Sequence, residues 1–480
     1  MKMLIDSRWV ESSDSARLDV RNPGTGGVID SVPRGTLDDV RRAVEAAQAG
    51  KAAMGRLSAA ERYDLLVKVA NELTRRADEL GRLLAEENGK PIGQTRAEVS
   101  VTGNIFRGFA EEAKRIFGRV MPVDAVHGQE RHFAMTIRVP LGVVAAIVPF
   151  NYPVELWGHK AAAALAAGNA VISKPPSACP LTLLKIAEIL ETAGLPRAAH
   201  QMITGPGELI GDFLARSPGV NMITVTGSTA VGIQIARLAA ENLKKVQLEL
   251  GGNDAMIVLA DADLEKAAEA VVLGRLARGN GQICCAVKRI FVEAPIYDAF
   301  TERLVAMAKD LKVGDQLQED TDVGPLISEA AAQEVEAVIG EAVRDGAHLR
   351  TGGGRRQAFI EPTVLTDVPV EARLFRDETF GPVAPLVSFT NLDDAIRMAN
   401  DSPYGLQSAV FTQDINKAFD VAYRLQAGGV IVNWSSAMRV ETLPFGGVKM
   451  SGHGREGIHD TLEEMTDQKT IIVHNAFPAA

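Results

Sequence analysis

Two adjacent thiols, Cys284 and Cys285, follow a glycine-rich turn in the segment Gly279-Asn-Gly-Gln-Ile-Cys-Cys-Ala286, and the chain holds only three cysteines. Such a turn gives close backbone approach on one side, and the apolar run Arg289-Ile-Phe-Val292 follows on the other. One sulfur can then be held at the floor of a cleft, where its thiolate attacks an electrophilic carbon. The competing reading is a pair of small buried hydrophobes, since free cysteine is among the most buried residue types. Glu249 stands 35 residues before Cys284, the lone acid in Val246-Gln-Leu-Glu-Leu-Gly-Gly-Asn253. A carboxylate inside an apolar run is costly unless it is partnered or used, and burial raises its pKa towards the range of a general base. The alternative is an acid at the exposed end of a strand. A thiol nucleophile with a buried acid suits covalent chemistry on a carbonyl.

Two further segments can hold phosphate and sugar. Ser173-Lys-Pro-Pro176 ends an apolar run, so Lys174 can reach a ribose hydroxyl at the carboxyl edge of a sheet. Thr226-Gly-Ser-Thr-Ala-Val-Gly232 lies between strand-like and helix-like segments, where backbone N–H groups and a helix N-terminus can take a pyrophosphate. It is not the G-x-G-x-x-G fingerprint, and alone it is equally a glycine-started helix cap. The elements that position these residues follow from periodicity. Apolar spacing predicts helices over Leu37–Gly50, Ala59–Asn88, Cys179–Ala193, Ala230–Leu243 and Leu264–Leu276. Short β-like runs at Val143–Val148, Ala170–Ser173, Met222–Thr226, Met256–Leu259 and Ile290–Val292 alternate with them. That alternation predicts an α/β fold with a parallel sheet, and a second series from Phe300 to Val432 predicts another α/β domain. Met121–Ile137 and Thr466–Val473 alternate as strands do.

Composition sets limits. A chain of 480 residues has room for two or more domains. A net charge of −10 argues against nucleic acid as a general partner. Three cysteines make no disulfide framework, and the N-terminus lacks the apolar core of a signal peptide. The longest apolar stretch, Val139–Phe150, is too short to span a bilayer and contains Pro140 and Gly142. The expectation is a soluble, cytoplasmic protein with no metal, membrane or nucleic-acid partner.

The segments Gly281-Gln-Ile-Cys284, Leu248-Glu-Leu-Gly-Gly252, Pro149-Phe-Asn-Tyr-Pro153, Lys174-Pro-Pro176, Thr226–Gly232, Glu378-Thr-Phe-Gly-Pro-Val383 and Pro444-Phe-Gly-Gly-Val-Lys449 together resemble the signatures of the aldehyde dehydrogenase superfamily. The seven matches occur in the family's order, and the resemblance as a whole runs from about Asn22 to Lys469. The resemblance implies a Rossmann-like cofactor domain (1–120 and 138–248), an α/β catalytic domain (249–450) and a β oligomerisation flap (121–137 and 462–480). It also implies a homodimer or homotetramer.

By the same resemblance Cys284 attacks the aldehyde, with Cys285 a bystander and Cys179 a packing residue. The Asn151 amide and the Cys284 N–H hold the oxyanion, and Glu249 activates water to hydrolyse the acyl-thioester. Lys160 sits at a position tied to a proton route, and Asp467 stands where many relatives carry a glutamate of that relay. Pro149, Lys174, Ser177, Gly207, Thr226, Gly227, Ser228, Gly232, Leu250, Glu378 and Phe380 are the implied cofactor residues. Strict NAD users often carry a glutamate where this chain has Ser177, so loss of that charge tilts the expectation to NADP over NAD. A base at Glu249 favours hydrolysis over transfer to coenzyme A.

The stretch Asn433–Thr442 resembles a branch that includes lactaldehyde, phosphonoacetaldehyde and non-phosphorylating glyceraldehyde-3-phosphate dehydrogenases. Arg439 there can bind an anionic tail or pair structurally with Glu441. Arginines that phosphate-specific relatives carry before the cysteine and near Val101 are absent; Ile283 occupies the first position. Tyr152, Leu156, Trp157, Ile283 and Trp434, with His159 among them, are the expected tunnel wall, suited to a small aliphatic or aromatic aldehyde carrying at most one charge. Two rival classes are a cysteine-dependent esterase and a non-catalytic scaffold protein on the same fold. The retained nucleotide residues oppose the first, and the retained thiol and base oppose the second.

Overall fold

Fully apolar strands need cover on both faces, and the chain supplies it by placing helices between them. A computed structural model describes residues 1–478. Its larger sheet has eight strands in the order Arg8–Val10, Met3–Ile5, His200–Met202, Ala170–Lys174, Val143–Ile147, Met222–Thr226, Lys245–Glu249 and Gly452–His453. The five strands from His200–Met202 to Lys245–Glu249 are parallel, and the outer ones are antiparallel. Chain order reverses between Val143–Ile147 and Met222–Thr226. In open α/β sheets a crevice forms at such a reversal, beyond the carboxyl ends of the strands, and ligands bind there. The residues beyond these two strands are Pro149-Phe-Asn151 and Gly227-Ser228.

The second sheet has seven strands in the order His348–Thr351, Thr363–Thr366, Val383–Phe389, Val287–Glu293, Asp254–Val258, Gln407–Phe411 and Gly429–Val432. All its pairings are parallel except the first. A third sheet joins Thr466–Val473, Phe133–Pro140 and Arg119–Met121 in antiparallel register, with Thr466 opposite Pro140 and Val473 opposite Phe133. Phe133–Pro140 thus runs past the expected flap border at 137, while the last two residues of the expected flap lie outside the described residues. The helix Ile458–Glu464 packs on Ile92–Ala113 and Pro153–Ala166 and not on the flap sheet alone.

Several helix boundaries differ from the periodicity. The run Ala59–Asn88 is two helices, Ala59–Arg75 and Ala77–Asn88, parted at Arg76 (φ −98, ψ 14). The helix from Leu264 ends at Val271 and passes into a π-helical turn, Val272–Ala277. Three left-handed residues follow, Gly279, Asn280 and Gly281, at φ 59, 55 and 72. This π-turn and left-handed corner deliver the chain to Cys284.

Candidate active site

The reversal in strand order opens a cavity of about 530 Å³ lined by Pro149, Phe150, Thr226, Ser228, Glu378 and Phe380, among others, with Asn151 and Cys284 in its wall. Gly227 and Leu250 also line it. Ser228 caps the helix Thr229–Ala240, its hydroxyl accepting from Val231 N, so the helix N-terminus faces the cavity. Thr226 Oγ1 is buried there without a hydrogen-bond partner. Lys174 Nζ donates to Ser177 Oγ (3.1 Å), which in turn donates to Gly205 O (2.8 Å). Burial lowers the Lys174 pKa to about 8. Gly207 begins the helix Gly207–Arg216, and a Cβ there would lie 3.7 Å from Lys174 Nζ. Gly232 stands apart from the lining: a Cβ on it would sit 2.4 Å from the Leu250 side chain, so it lets the helix lie on the strand end. A cleft at the strand reversal with an N-capped helix and an orphaned hydroxyl fits a phosphate-bearing nucleotide, and Lys174, outside the lining, is buried at the end of a neighbouring strand.

Cys284 is fixed by its loop. The Asn280 amide donates to Gly89 O (3.0 Å) and Pro325 O (2.9 Å) and accepts from Gly324 N (2.8 Å). Gly281 packs on the backbone of Gly381-Pro382, and a Cβ would come within 2.4 Å of the Gly381 carbonyl carbon. Across the cleft Lys90, itself buried, donates to Asn151 O (2.6 Å) and stands 3.8 Å from the Tyr152 ring centroid. Its partner Glu98 also accepts from Val154 N (2.9 Å), so one buried ion pair ties down both the Asn151 backbone and the start of the helix Pro153–Ala166. Hydrogen bonding with Cys285, and then burial, push the Cys284 thiol well above its ordinary pKa.

Glu249 ends its strand fully enclosed, with neither carboxylate oxygen bonded. Burial and the nearby Glu456 raise its pKa well above the carboxylate range, against the pull of Lys160 and Arg439. Glu456 forms buried ion pairs with Lys160 and, at 3.1 Å, with Arg439. Burial opposes its ionisation, yet Lys160 and Arg439 outweigh that and hold its carboxyl down to about 2. Glu456 shows in the sequence only as an acid between glycines in Gly454-Arg-Glu-Gly457. Asp467 is outside this network: it pairs with Lys245 (2.6 Å) at the surface, because the alternation of Thr466–Val473 turns it outward.

A second cavity, of about 600 Å³, adjoins Asn151 through its neighbour Tyr152 and is lined by Gln94, Glu155, Arg278, Trp434 and Met438, among others. Tyr152 and Trp434 line this cavity, but four expected wall residues, Leu156, Trp157, His159 and Ile283, line neither cavity, and Arg439 also lies elsewhere. Trp157 is wholly buried, donating to Ser173 Oγ (2.9 Å) and packing on Phe106, because the helix Pro153–Ala166 is enclosed on every side. Ile283 sits in the same core as Tyr152 and lines neither cavity. Arg439 is held by Glu456 and, at 3.6 Å, by Glu441, with its guanidinium 4.5 Å from the Phe445 ring centroid. Its structural pairing therefore leaves it out of the lining. Arg278, which the sequence analysis passed over, is the one cation among the described lining residues. It donates to Ala437 O (3.1 Å) and stands 5.5 Å from the Tyr152 ring centroid. Its signal was a charge six residues before Cys284, but only the π-turn aims it inward.

The Aldehyde dehydrogenase family profile matches residues 9–471. A 3-sulfolactaldehyde dehydrogenase of Priestia aryabhattai is 42% identical over 472 residues, covering 98% of both chains. A lactaldehyde dehydrogenase of Methanocaldococcus jannaschii is 41% identical over 475 residues, covering 98% of this chain and 100% of the relative. Among solved structures, glyceraldehyde-3-phosphate dehydrogenase GapN of Methanocaldococcus jannaschii, complexed with NADP, superposes with a TM-score of 0.91 at 41% identity, covering 95% and 99% of the two chains. Aldehyde dehydrogenase 21 of Physcomitrella patens, in complex with the reaction product succinate, gives 0.95 at 38% identity, covering 99% and 98%. With a family profile and full-length relatives in agreement with the cleft, the chain belongs to the aldehyde dehydrogenase family and oxidises an aldehyde to its acid with NAD(P).

Proposed function

We propose that Cys284 is the nucleophile, Glu249 the hydrolytic base and Asn151 the side-chain donor to the oxyanion, for a short aldehyde bearing one anionic group. The carrying observation is the meeting of Cys284 and Asn151 in the wall of the cleft at the strand reversal, with Glu249 close enough for its ionisation and that of Cys284 to oppose each other. The thiolate of Cys284 adds to the carbonyl, and the Asn151 amide with the Cys284 N–H takes the oxyanion; one such donor contributes about 3–4 kcal/mol. The bound nicotinamide would accept the hydride that leaves the substrate carbon. Glu249 then removes a proton from the water that opens the thioester. The charges of Lys160 and Arg439 pull against burial and Glu456 and so favour the carboxylate form that takes this proton.

Pro149, Thr226, Gly227, Ser228, Leu250, Glu378 and Phe380 would hold the cofactor, Glu378 with Phe380 at the nicotinamide ribose and ring, and Lys174 with Ser177 at the adenosine ribose. Ser177 puts no negative charge beside Lys174, which supports NADP over NAD. For the substrate, Arg278 supports an anionic group opposite the aldehyde, in keeping with relatives named for sulfolactaldehyde and lactaldehyde. Self-association rests on exposed apolar residues: Phe117, Val120 and Ile472 on or beside the flap sheet, and Ile415, Phe419 and Tyr423 on the helix beside the open edge strand Gly429–Val432.

The test is a panel of matched neutral, carboxylated and sulfonated aldehydes with the wild type, Arg278→Met and Arg439→Met. Loss of a charge-assisted contact in R278M should raise KM for the anionic members about 10–100-fold and leave neutral ones within about twofold. R439M should damage all members alike. An R278M variant that treats anionic and neutral aldehydes as the wild type does would sink the anion reading.

A further inference from the structure

Lys288 lies on the strand Val287–Glu293, four residues after Cys284, and its side chain is buried. Its ammonium donates to three acceptors: Gly252 O (2.7 Å), Glu378 Oε1 (2.8 Å) and the carbonyl oxygen of Cys284. An ammonium has three donors, so all of them are spent. Each acceptor belongs to a different part of the site. Gly252 follows the Glu249 strand, Glu378 lines the nucleotide cleft, and Cys284 carries the thiol. Glu378 Oε1 also accepts from Gly252 N (3.0 Å) and is thereby fixed. Glu378 Oε2 lies against Gly251, where a Cβ would come within 2.3 Å of it, so that glycine leaves room for the carboxylate to face the cleft. The Lys288 ammonium stands 5.5 Å from the centroid of Phe380, another lining residue. A second buried carboxylate, Asp254, has no hydrogen-bond partner, and Lys288 draws its pKa down against the larger effect of burial.

A buried lysine is costly unless its charge and every N–H are matched, so its presence at this junction calls for a role. We propose that Lys288 is a positioning residue for the oxidation. By holding one oxygen of Glu378 and the Cys284 carbonyl to a single point, it keeps the ribose-facing carboxylate in register with the backbone that aims the thiol. The proposal rests on the reading above that Glu378 binds the nicotinamide ribose. An aliphatic residue at 288 would release Glu378 and the Cys284 peptide together, whereas a lysine serving only to fill the core would leave cofactor affinity unchanged.

The experiment is a double-mutant cycle of Lys288→Met and Glu378→Gln, read as nucleotide Kd by calorimetry on the cofactor-free protein. The unfolding midpoint is recorded beside it, together with KM for aldehyde. K288M should weaken nucleotide binding at least tenfold, change the aldehyde KM by less than twofold, and have an effect within twofold in the E378Q background. General structural damage would move both constants and persist in that background. If K288M does not fold, K288Q keeps two donors without the charge and should weaken binding at least fivefold. Folded K288M or K288Q with wild-type nucleotide Kd, in a protein where E378Q weakens binding, overturns the role of Lys288. If E378Q itself leaves nucleotide Kd unchanged, the ribose reading falls and this proposal falls with it.

Discussion

Cys284, the proposed nucleophile, has a thiol held above its ordinary pKa, first by hydrogen bonding with Cys285 and then by burial. Removing the neighbour should free it. Cys285→Ala lowers the Cys284 pKa, so more thiolate is present at a given pH and iodoacetamide should alkylate Cys284 faster at pH 8. An unchanged rate would show that Cys285 has no hold on the nucleophile. The thiol and the buried acid were legible in the sequence because each is a polar residue in an apolar or glycine-rich setting, whereas Asn151 was legible only through the family resemblance. The arginines were not. Sequence alone leaves Arg439 to bind an anionic tail or to pair with Glu441, and it says nothing of Arg278; the fold adds Glu456, which with Glu441 captures Arg439. Lys90, Lys288 and Glu456 were also hidden, since an isolated charge in sequence says nothing about its burial.

The catalytic loop depends on a corner that only glycine and asparagine occupy without strain. Gly281 combines φ 72 with backbone at the distance where a Cβ would intrude, 2.4 Å from Gly381. Gly281→Ala should therefore shift the loop that carries Cys284; a displacement near 1 Å costs about 10²-fold in rate. Steady-state kcat with the best aldehyde reads this directly, and a loss below threefold would mean the loop yields. The strands at the cleft were legible because apolar runs bounded by glycine and proline leave few alternatives. Two helices escaped for opposite reasons. Pro153–Ala166 is buried all round, so it has no polar face to give a period. Ile92–Ala113 buries Thr95, Glu98 and Thr102 among its apolar residues, which blurs the stripe. The split at Arg76 carries no glycine or proline to announce it.

For the molecule as a whole, cofactor choice is written in charge. Lys174 titrates at about 8 in the free protein because it is buried. A bound 2′-phosphate would raise that value, so its contribution is full below pH about 8 and is lost as pH rises through the bound-state pKa. Between pH 7 and 9 the Kd for NADP should therefore rise about tenfold, and that for NAD should rise less. Equal pH dependence for both would place Lys174 on the ribose alone. The two-sheet plan was legible from the spacing of strand and helix signals, while the pairing of Thr466–Val473 with Phe133–Pro140 was legible only through the family resemblance. The strand order was not: the reversal between Val143–Ile147 and Met222–Thr226, which opens the cleft, is a property of the assembled sheet.

The central claim is that the aldehyde carbon becomes bonded to Cys284 and waits there for Glu249. Glu249→Gln should stop hydrolysis, cutting kcat about 10²–10⁴-fold, while leaving the first turnover intact. The most direct measurement is peptide mass spectrometry of E249Q after one turnover with NAD(P) and an aldehyde. An acyl adduct, the mass of the aldehyde less one hydrogen in place of the thiol proton, is expected on Cys284 and on no other residue. An acyl group on Cys285 or Cys179, or full turnover by E249Q with no adduct, would contradict it.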